Sequence, residues 1–319
     1  MMTARSRSPK MQKRVFNGLR LIGIAIFVII LLRVDLKAIG HSMLQADALL
    51  LGWGIFFQLM VLMTKGIRWH LMNDGRRLKK YWMLSLGRFY ESYAIGVVTP
   101  GRLGELMKAG HEQGSKNILG TSLRVLSERG LDIGIFVALA GLSVLSGHYL
   151  ELDSLYGWVI VSISALIILL SLLLLTSSSF LGFFNKLIYR IRNRRNDLAI
   201  DPRKYTTGTT AWIIILSLFS NLSYFISCYY LGLAAGLDAG FIWISGAVAI
   251  SGLLNMLPVT IMGLGTRELI FLYVFSAFDP NIALAFSFLV VLIAQIGGGI
   301  VSLITGQILL IKSKRYEYQ

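Results

Sequence analysis

The chain has 319 residues, of which 55% are apolar and only 15% are charged, and its mean hydropathy is +0.68. Soluble chains carry about 25% charged residues, so this composition excludes an ordinary water-soluble domain and indicates an integral membrane protein. The 31 basic and 16 acidic residues give a net charge of +15, an excess that in a membrane protein is typical of cytoplasmic loops facing anionic lipid.

Six apolar runs predict membrane-spanning helices, each of which needs about 20 residues. In chain order they are residues 19–32, 48–64, 131–147, 157–175, 211–233 and 282–311. The first run follows the basic residues 1–18 and is interpreted as a retained signal anchor, because no small-residue cleavage site follows it. The last run would be about 45 Å long as a single helix. Because a bilayer core is only about 30 Å thick, we expect Gly297, Gly298 and Gly299 to kink or divide this helix.

The connections between these runs predict how the chain is oriented. Residues 1–20, 65–82, 186–204 and 312–319 hold 22 of the basic residues and 4 of the acidic ones, whereas the alternate connections hold 2 basic and 6 acidic residues. Basic residues in short loops stay on the cytoplasmic side. The sequence therefore predicts a multi-pass protein of the inner (cytoplasmic) membrane with both termini in the cytoplasm. The basic loop 186–204 is expected to contact anionic headgroups rather than nucleic acid, because only one aromatic residue, Tyr189, lies among its charges.

The remaining charged residues fall within residues 83–132 and 241–278. The first segment begins and ends on the predicted cytoplasmic face, and the second begins and ends outside. Each must therefore return to the face from which it started, as a broken or re-entrant helical hairpin or as a pair of short helices. Together these features predict an all-α, polytopic integral membrane protein. It would form a single transmembrane domain over residues 1–319, with about six full spans and two such hairpins in an inverted repeat.

The two segments share a motif in which proline and glycine precede an arginine and a glutamate. The first contains TPGRLGE (residues 99–105) and the second NMLPVTIMGLGTRE (residues 255–268). Proline removes a backbone donor, and an interrupted helix at membrane depth needs protein or a water-filled cavity to cover the gap. Ordinary kinks in membrane-spanning helices are the alternative. The predicted helix-breaking residues are Pro100, Gly101, Gly104, Pro258, Gly263 and Gly265.

Charged residues accompany both motifs, and each costs about 2.5–3.5 kcal/mol at the centre of a bilayer. Arg88 and Lys108 are expected at the interface. The pairs Arg102/Glu105 and Arg267/Glu268 are the better candidates for a polar cavity.

A third charged cluster is SERGLD, residues 127–132. It places Glu128 and Asp132 on one helix face and turns Arg129 about 100° away. The cluster is either a helix start with acids near its positive end, or an ion network that supports the cavity or contacts substrate.

Several kinds of chemistry have no support in the sequence. His41, His70, His111 and His148 are isolated, so neither a metal site nor a cofactor is predicted. No nucleotide-binding loop or short catalytic motif is present, so ATP hydrolysis is not expected.

The motifs TPGRLGE, SERGLD and NMLPVTIMGLGTRE, in this order over nearly the whole chain, resemble the lysylphosphatidylglycerol synthase transmembrane (flippase-like) family. Its relatives include the membrane domain of the bacterial multiple peptide resistance factor, which moves aminoacylated phosphatidylglycerol between leaflets. The aminoacyl-transferring relatives carry a soluble synthase domain after the membrane part. These 319 residues contain none, so synthesis of that lipid is not expected.

The resemblance implies a lipid flippase that works without ATP and moves an anionic, aminoacylated or glycosylated lipid, with a lipid-modifying enzyme as a further expected partner. The alternatives are a membrane-embedded enzyme, or enzyme subunit, of glycolipid or polyprenyl-linked glycan synthesis, and a small-solute transporter. Arginines would pair with the lipid phosphate, and the glutamates would hold those arginines or meet a cationic headgroup. The implied substrate-binding residues are Arg102, Glu105, Glu128, Arg129, Asp132, Asn255, Arg267 and Glu268.

Overall fold

A computed structural model describes residues 40, 45–74, 79–110, 118–147, 153–177, 180, 205–256 and 262–315. Within these ranges all regular structure is helical. The helices are α1 Ala48–Asp74, α2 Lys79–Val98, α3 Ile118–Leu145, α4 Ser154–Thr176, α5 Thr207–Ala234, α6 Phe241–Asn255, α7 Thr266–Val274, α8 Pro280–Leu289 and α9 Gly298–Arg315. A 3-10 segment, Pro100–Leu106, a single α-helical turn, Met107–Gly110, and a π-helical segment, Val290–Gly297, complete the described secondary structure.

Four stretches of the described residues are long and apolar enough to cross a membrane. They are Ala48–Asn73, Ser154–Thr176, Thr207–Ala234 and Pro280–Lys314. The prediction of an all-α membrane protein is therefore confirmed. The predicted run 131–147 lies in α3, but that helix begins at Ile118, so its first half carries the charged cluster. The predicted run 19–32 and the basic segments 1–18 and 186–204 lie outside the described residues.

The helices pack as an antiparallel bundle, and α1 defines its two ends. We call the end where α1 begins the upper end and the end where it finishes the lower end. Helix α5 is antiparallel to α1, because Ser227 Oγ donates to the Gly54 carbonyl at 2.7 Å near the upper end, while Arg68 Nη1 donates to Ser217 Oγ at 3.0 Å further down. Helix α3 runs upward beside them, and α4 returns along it.

The last helix is continuous from Pro280 to Arg315 rather than divided at the three glycines. Its backbone is instead wound as a π-helix over Val290–Gly297, directly before Gly298. Gln58 of α1 donates its amide Nε2 to the Ala294 carbonyl at 3.0 Å within this segment. Below it, α9 packs closely against α2.

Residues 79–110 form a broken hairpin, which we call hairpin 1. It is shorter than the predicted segment 83–132, because residues from Ile118 onward belong to α3. Helix α2 ends at Val98, and the chain reverses through Gly101 and Arg102, whose φ angles are 61° and 53°. Gly104 then lies against the backbone of Ile95 and Gly96, and Lys108 lies 5.5 Å from the Phe89 ring centroid. The returning segment therefore runs antiparallel to α2, so that hairpin 1 opens toward the lower end of the bundle.

Residues 241–256 and 262–274 form a second hairpin, hairpin 2, within the predicted segment 241–278. Helix α6 descends from the upper end, where the Phe241 ring contacts Tyr229, and Gly263 in the following turn lies beside Asn255. Helix α7 then climbs back, and the ring of Phe275, which follows it, lies 6.0 Å from that of Trp243. Hairpin 2 therefore opens toward the upper end. Pro258 lies outside the described residues.

Close backbone contact within hairpin 1 makes Gly104 sensitive to substitution. A Cβ atom at this position would lie 2.7 Å from the Ile95 carbonyl carbon and 2.8 Å from the Gly96 nitrogen. Gly104→Ala is expected to destabilise the protein by about 1–3 kcal/mol, because backbone atoms must move to accept the methyl group. Thermal unfolding in detergent would measure the effect. Gly208→Ala in α5 is the matched control, since nothing lies within 4 Å of its added Cβ; equal melting temperatures for both variants would contradict the prediction.

Candidate functional site

A polar chamber lies between the tips of the two hairpins. Its volume is about 60 Å³, several times the roughly 10–15 Å³ needed to hold one water molecule. Hairpin 1 contributes Arg102, and hairpin 2 contributes Asn255, Gly263 and Arg267 to the lining. Among the described residues, the charged side chains that line the chamber are Lys65, Arg102, Arg129, Asp132 and Arg267. The chamber therefore presents four basic groups and one carboxylate.

Beside the chamber lies a cluster of ion pairs, which we call the ionic site. It consists of Lys65, Arg68, Arg102, Glu105, Lys108, Glu128, Arg129 and Asp132. Arg68, on the inward face of α1, anchors its buried part. Its side chain is fully buried. Nη1 donates to Asp132 Oδ1 at 2.7 Å, and Nη2 donates to Glu128 Oε1 at 2.9 Å. Glu128 and Asp132 can both reach this guanidinium because residues four apart share one face of a helix. Asn221 Nδ2 also donates to Asp132 Oδ1, at 2.9 Å, which ties α5 to the same carboxylate.

Two lysines complete this group. Lys108, in the helical segment that returns from the tip of hairpin 1, is buried and forms an ion pair with Glu128. Its Nζ lies 4.5 Å from the Trp69 ring centroid. Lys65, one turn above Arg68 on α1, lies 3.3 Å from Asp132 Oδ2. Each carboxylate of α3 is thus shared between two cations, a combination that makes a buried charge tolerable.

Glu105 joins hairpin 1 to α3. It forms an ion pair with Arg129 and lies 3.6 Å from Arg102 Nη1. Arg129 reaches this partner because it projects from a different face of α3 than Glu128 does. The Arg102 guanidinium lies 5.7 Å from the Tyr93 ring centroid, a separation suited to a cation–π contact. The side chains of Arg102 and Arg129 keep 23% and 19% of their surface exposed, so both can meet a ligand in the chamber.

Hairpin 2 holds its own ion pair. Arg267 Nη2 donates to Glu268 Oε1 at 2.8 Å, and Nε donates to Ser287 Oγ of α8, also at 2.8 Å. Glu268 Oε2 accepts the Gly265 backbone N–H at 2.6 Å, which caps the start of α7. In the amide orientation that satisfies its neighbours, Gln295 of the π-helical segment accepts from Arg267 Nη1 at 3.2 Å. Arg267 is therefore held rigidly at the edge of the chamber.

The predicted site residues fall into two groups. Arg102, Arg129, Asp132, Asn255 and Arg267 line the chamber. The glutamates lie behind them, and each is paired with a basic side chain. Of the predicted helix-breaking glycines, Gly101, Gly263 and Gly265 have positive φ, and Gly104 makes the close backbone contact described above.

Sequence reasoning missed part of the cluster. Residues 65–82 were expected to form a cytoplasmic loop, but α1 continues to Asp74 and places Lys65 and Arg68 in the ionic site. Lys108 was expected at the interface and is instead buried against Glu128. The signal that could have located Arg68 is its helical spacing of three from Lys65, which continues one face of the apolar run.

Three of the four histidines, His41, His111 and His148, lie outside the described residues.

A family model described as "Lysylphosphatidylglycerol synthase TM region" matches residues 20–302. This range contains both hairpins and every residue of the ionic site. No curated protein matches the chain.

Proposed function

Because this chain belongs to the lysylphosphatidylglycerol synthase TM family, we propose that it is a flippase that moves a lipid with a polar headgroup between the two leaflets. The family match supports a role connected with membrane lipids. Movement would need no ATP hydrolysis and would follow the lipid gradient or a coupled ion. The observation that carries the proposal is the cationic chamber that the tips of both hairpins line together.

The arrangement of the hairpins supports this reading. Hairpin 1 opens toward the lower end of the bundle and hairpin 2 toward the upper end, and both tips reach the chamber. The lower end would face the cytoplasm, since the predicted basic loops follow it. Interrupted helices that meet from opposite faces at a midplane site are typical of inverted-repeat transporters.

The chamber supplies what a headgroup needs in order to cross. A charged headgroup in hydrocarbon is unfavourable by several kcal/mol unless its charge is compensated. Arg102, Arg129 and Arg267 would bind the lipid phosphate, because a guanidinium can donate two parallel hydrogen bonds to phosphate oxygens. Glu105 and Glu268 would keep these arginines in place. The acyl chains would remain in the bilayer beside the chamber.

Reconstitution tests the proposal directly. The full chain, placed in proteoliposomes, should accelerate the exchange of headgroups between leaflets in an accessibility assay. The panel should contain phosphatidylglycerol, its lysyl derivative, a phosphate monoester lipid and a glycosylated lipid. Protein-free vesicles are the control, and equal rates with and without protein for the whole panel would contradict the proposal. Mass spectrometry of the recovered lipids should show them unchanged; a new lipid product would support the membrane-enzyme alternative instead.

A further inference from the structure

The ionic site carries more positive than negative charge. In the described part of the chain, five basic side chains and three carboxylates are joined by its ion pairs around α3. They are Lys65, Arg68, Arg102, Lys108 and Arg129, against Glu105, Glu128 and Asp132. The pair Arg267 and Glu268 is neutral as a whole. The site therefore has an excess of two positive charges.

The cations responsible for the excess positive charge line the chamber rather than lying buried behind it. Arg68 and Lys108 have their charges matched deep in the bundle by Glu128 and Asp132, and their side chains are no more than 1% exposed. Arg102 and Arg129 share the single carboxylate of Glu105, and Lys65 shares Asp132 with Arg68. Lys65, Arg102 and Arg129, each of which shares its carboxylate with a second cation, all line the chamber.

We propose that the headgroup which occupies this chamber is a compact dianion, a lipid that ends in a phosphate monoester. This inference rests on the proposed function and names the substrate class of the same site. Uncompensated charge that is largely removed from bulk water is unfavourable, and a group with two negative charges neutralises the excess. The second ionisation of a phosphate monoester has a pKa near 6, so the group is mainly dianionic above neutral pH.

The same charge balance disfavours other headgroups. A phosphodiester such as phosphatidylglycerol brings one negative charge and leaves one cation uncompensated. A lysylated phosphodiester brings two ammonium groups with its single phosphate, and these would meet four basic side chains and one carboxylate. Like charges brought together in this way oppose binding.

Binding to the full chain in detergent tests the inference without any need for transport. Phosphatidic acid, phosphatidylglycerol and lysyl-phosphatidylglycerol with identical acyl chains should be compared at pH 8 by native mass spectrometry. We expect phosphatidic acid to bind about tenfold more tightly than phosphatidylglycerol or better, since one further charge a few ångströms from the cations has an effect of at least that size. Equal affinities, or tighter binding of the lysyl lipid, would overturn the inference.

A variant that removes one of the two excess positive charges tests whether that charge causes the preference for phosphatidic acid. Lys65→Gln leaves Asp132 bonded to Arg68 and Asn221, so no carboxylate loses its last partner. Its preference for phosphatidic acid should fall to about threefold or less. Lys312→Gln, at an exposed position on α9, is the matched control and should keep the wild-type preference. A Lys65→Gln variant that keeps it as well would contradict the charge argument.

Two further measurements are needed. The first distinguishes a lipid phosphate from inorganic phosphate as the ligand, and the second tests the flippase and its substrate class separately. Inorganic phosphate that displaces phosphatidic acid at equal concentration would overturn the assignment to a lipid, because a free ion would then be the ligand. In proteoliposomes, faster movement of phosphatidic acid than of phosphatidylglycerol supports both the flippase and its substrate class. If the protein accelerates the movement of all lipids equally over protein-free vesicles, only the substrate class is contradicted. Selective binding with no movement of any lipid supports the substrate class and contradicts the flippase.

Discussion

Replacing Arg68 with methionine should destabilise the protein by about 3–5 kcal/mol, the usual effect of removing one partner from a buried ion pair. Its guanidinium bonds both Glu128 and Asp132 in a fully buried position. Without it, each carboxylate keeps only one cation, and Ser217 Oγ loses a donor. Unfolding in detergent, followed by heat or denaturant, would measure the loss.

The companion variants decide whether lost charge pairing is the cause. Arg68→Lys keeps a positive charge beside Glu128 and Asp132, so part of the stability should return, although an ammonium group lacks the paired donors of the guanidinium. Lys312→Met removes a basic side chain at an exposed site and should have almost no effect. If Arg68→Met unfolds at the wild-type temperature, the ionic site does not stabilise this bundle.

Arg102→Gln should reduce lipid translocation by about 10–100-fold while the protein stays folded. A charge-assisted hydrogen bond to the phosphate contributes about 1.5–3 kcal/mol, and each 1.4 kcal/mol corresponds to about a factor of ten in rate. Folding should tolerate the change because Arg102 keeps 23% of its side chain exposed and Glu105 retains its ion pair with Arg129. The headgroup-accessibility assay in proteoliposomes measures the rate.

The choice of arginine matters for this experiment. Arg267 also lines the chamber, but it is only 3% exposed and bonds Glu268 and Ser287, so its replacement would disturb folding as well as binding. Arg102→Lys keeps the charge without the paired donors and should give an intermediate rate. Lys312→Gln should translocate lipid at the wild-type rate. If Arg102→Gln translocates lipid at the wild-type rate, the proposal that hairpin 1 binds the lipid phosphate is wrong.

The hairpins were predictable because their signals are local. Proline and glycine break a helix wherever they stand, and TPGRLGE and the later GLGTRE place a charged pair directly after such a break. The balance of basic residues in the loops then required each segment to return to its own face. Positive φ at Gly101 and Gly265 agrees with this reading.

The ionic site was only partly predictable, because it depends on contacts between distant parts of the chain. Arg68 and Asp132 are 64 positions apart, and nothing in the residues near either one indicates the other. A basic residue just after an apolar run is usually a loop residue. The helix continues to Asp74 here because carboxylates on α3 compensate Lys65 and Arg68. The left-handed backbone of Arg102 was likewise beyond sequence reasoning, since this conformation is uncommon for residues other than glycine.

The continuous helix from Pro280 to Arg315 links the two hairpins mechanically. Its upper part packs on hairpin 2, where the rings of Phe286 and Phe271 stack 4.8 Å apart, and its lower part packs on hairpin 1, where Gly306 lies against Gly87. The π-wound turns lie between these two contacts. Any rocking of one hairpin against the other must therefore twist or bend the helix at those turns, and tightening them to regular α geometry would rotate the lower contact away from α2.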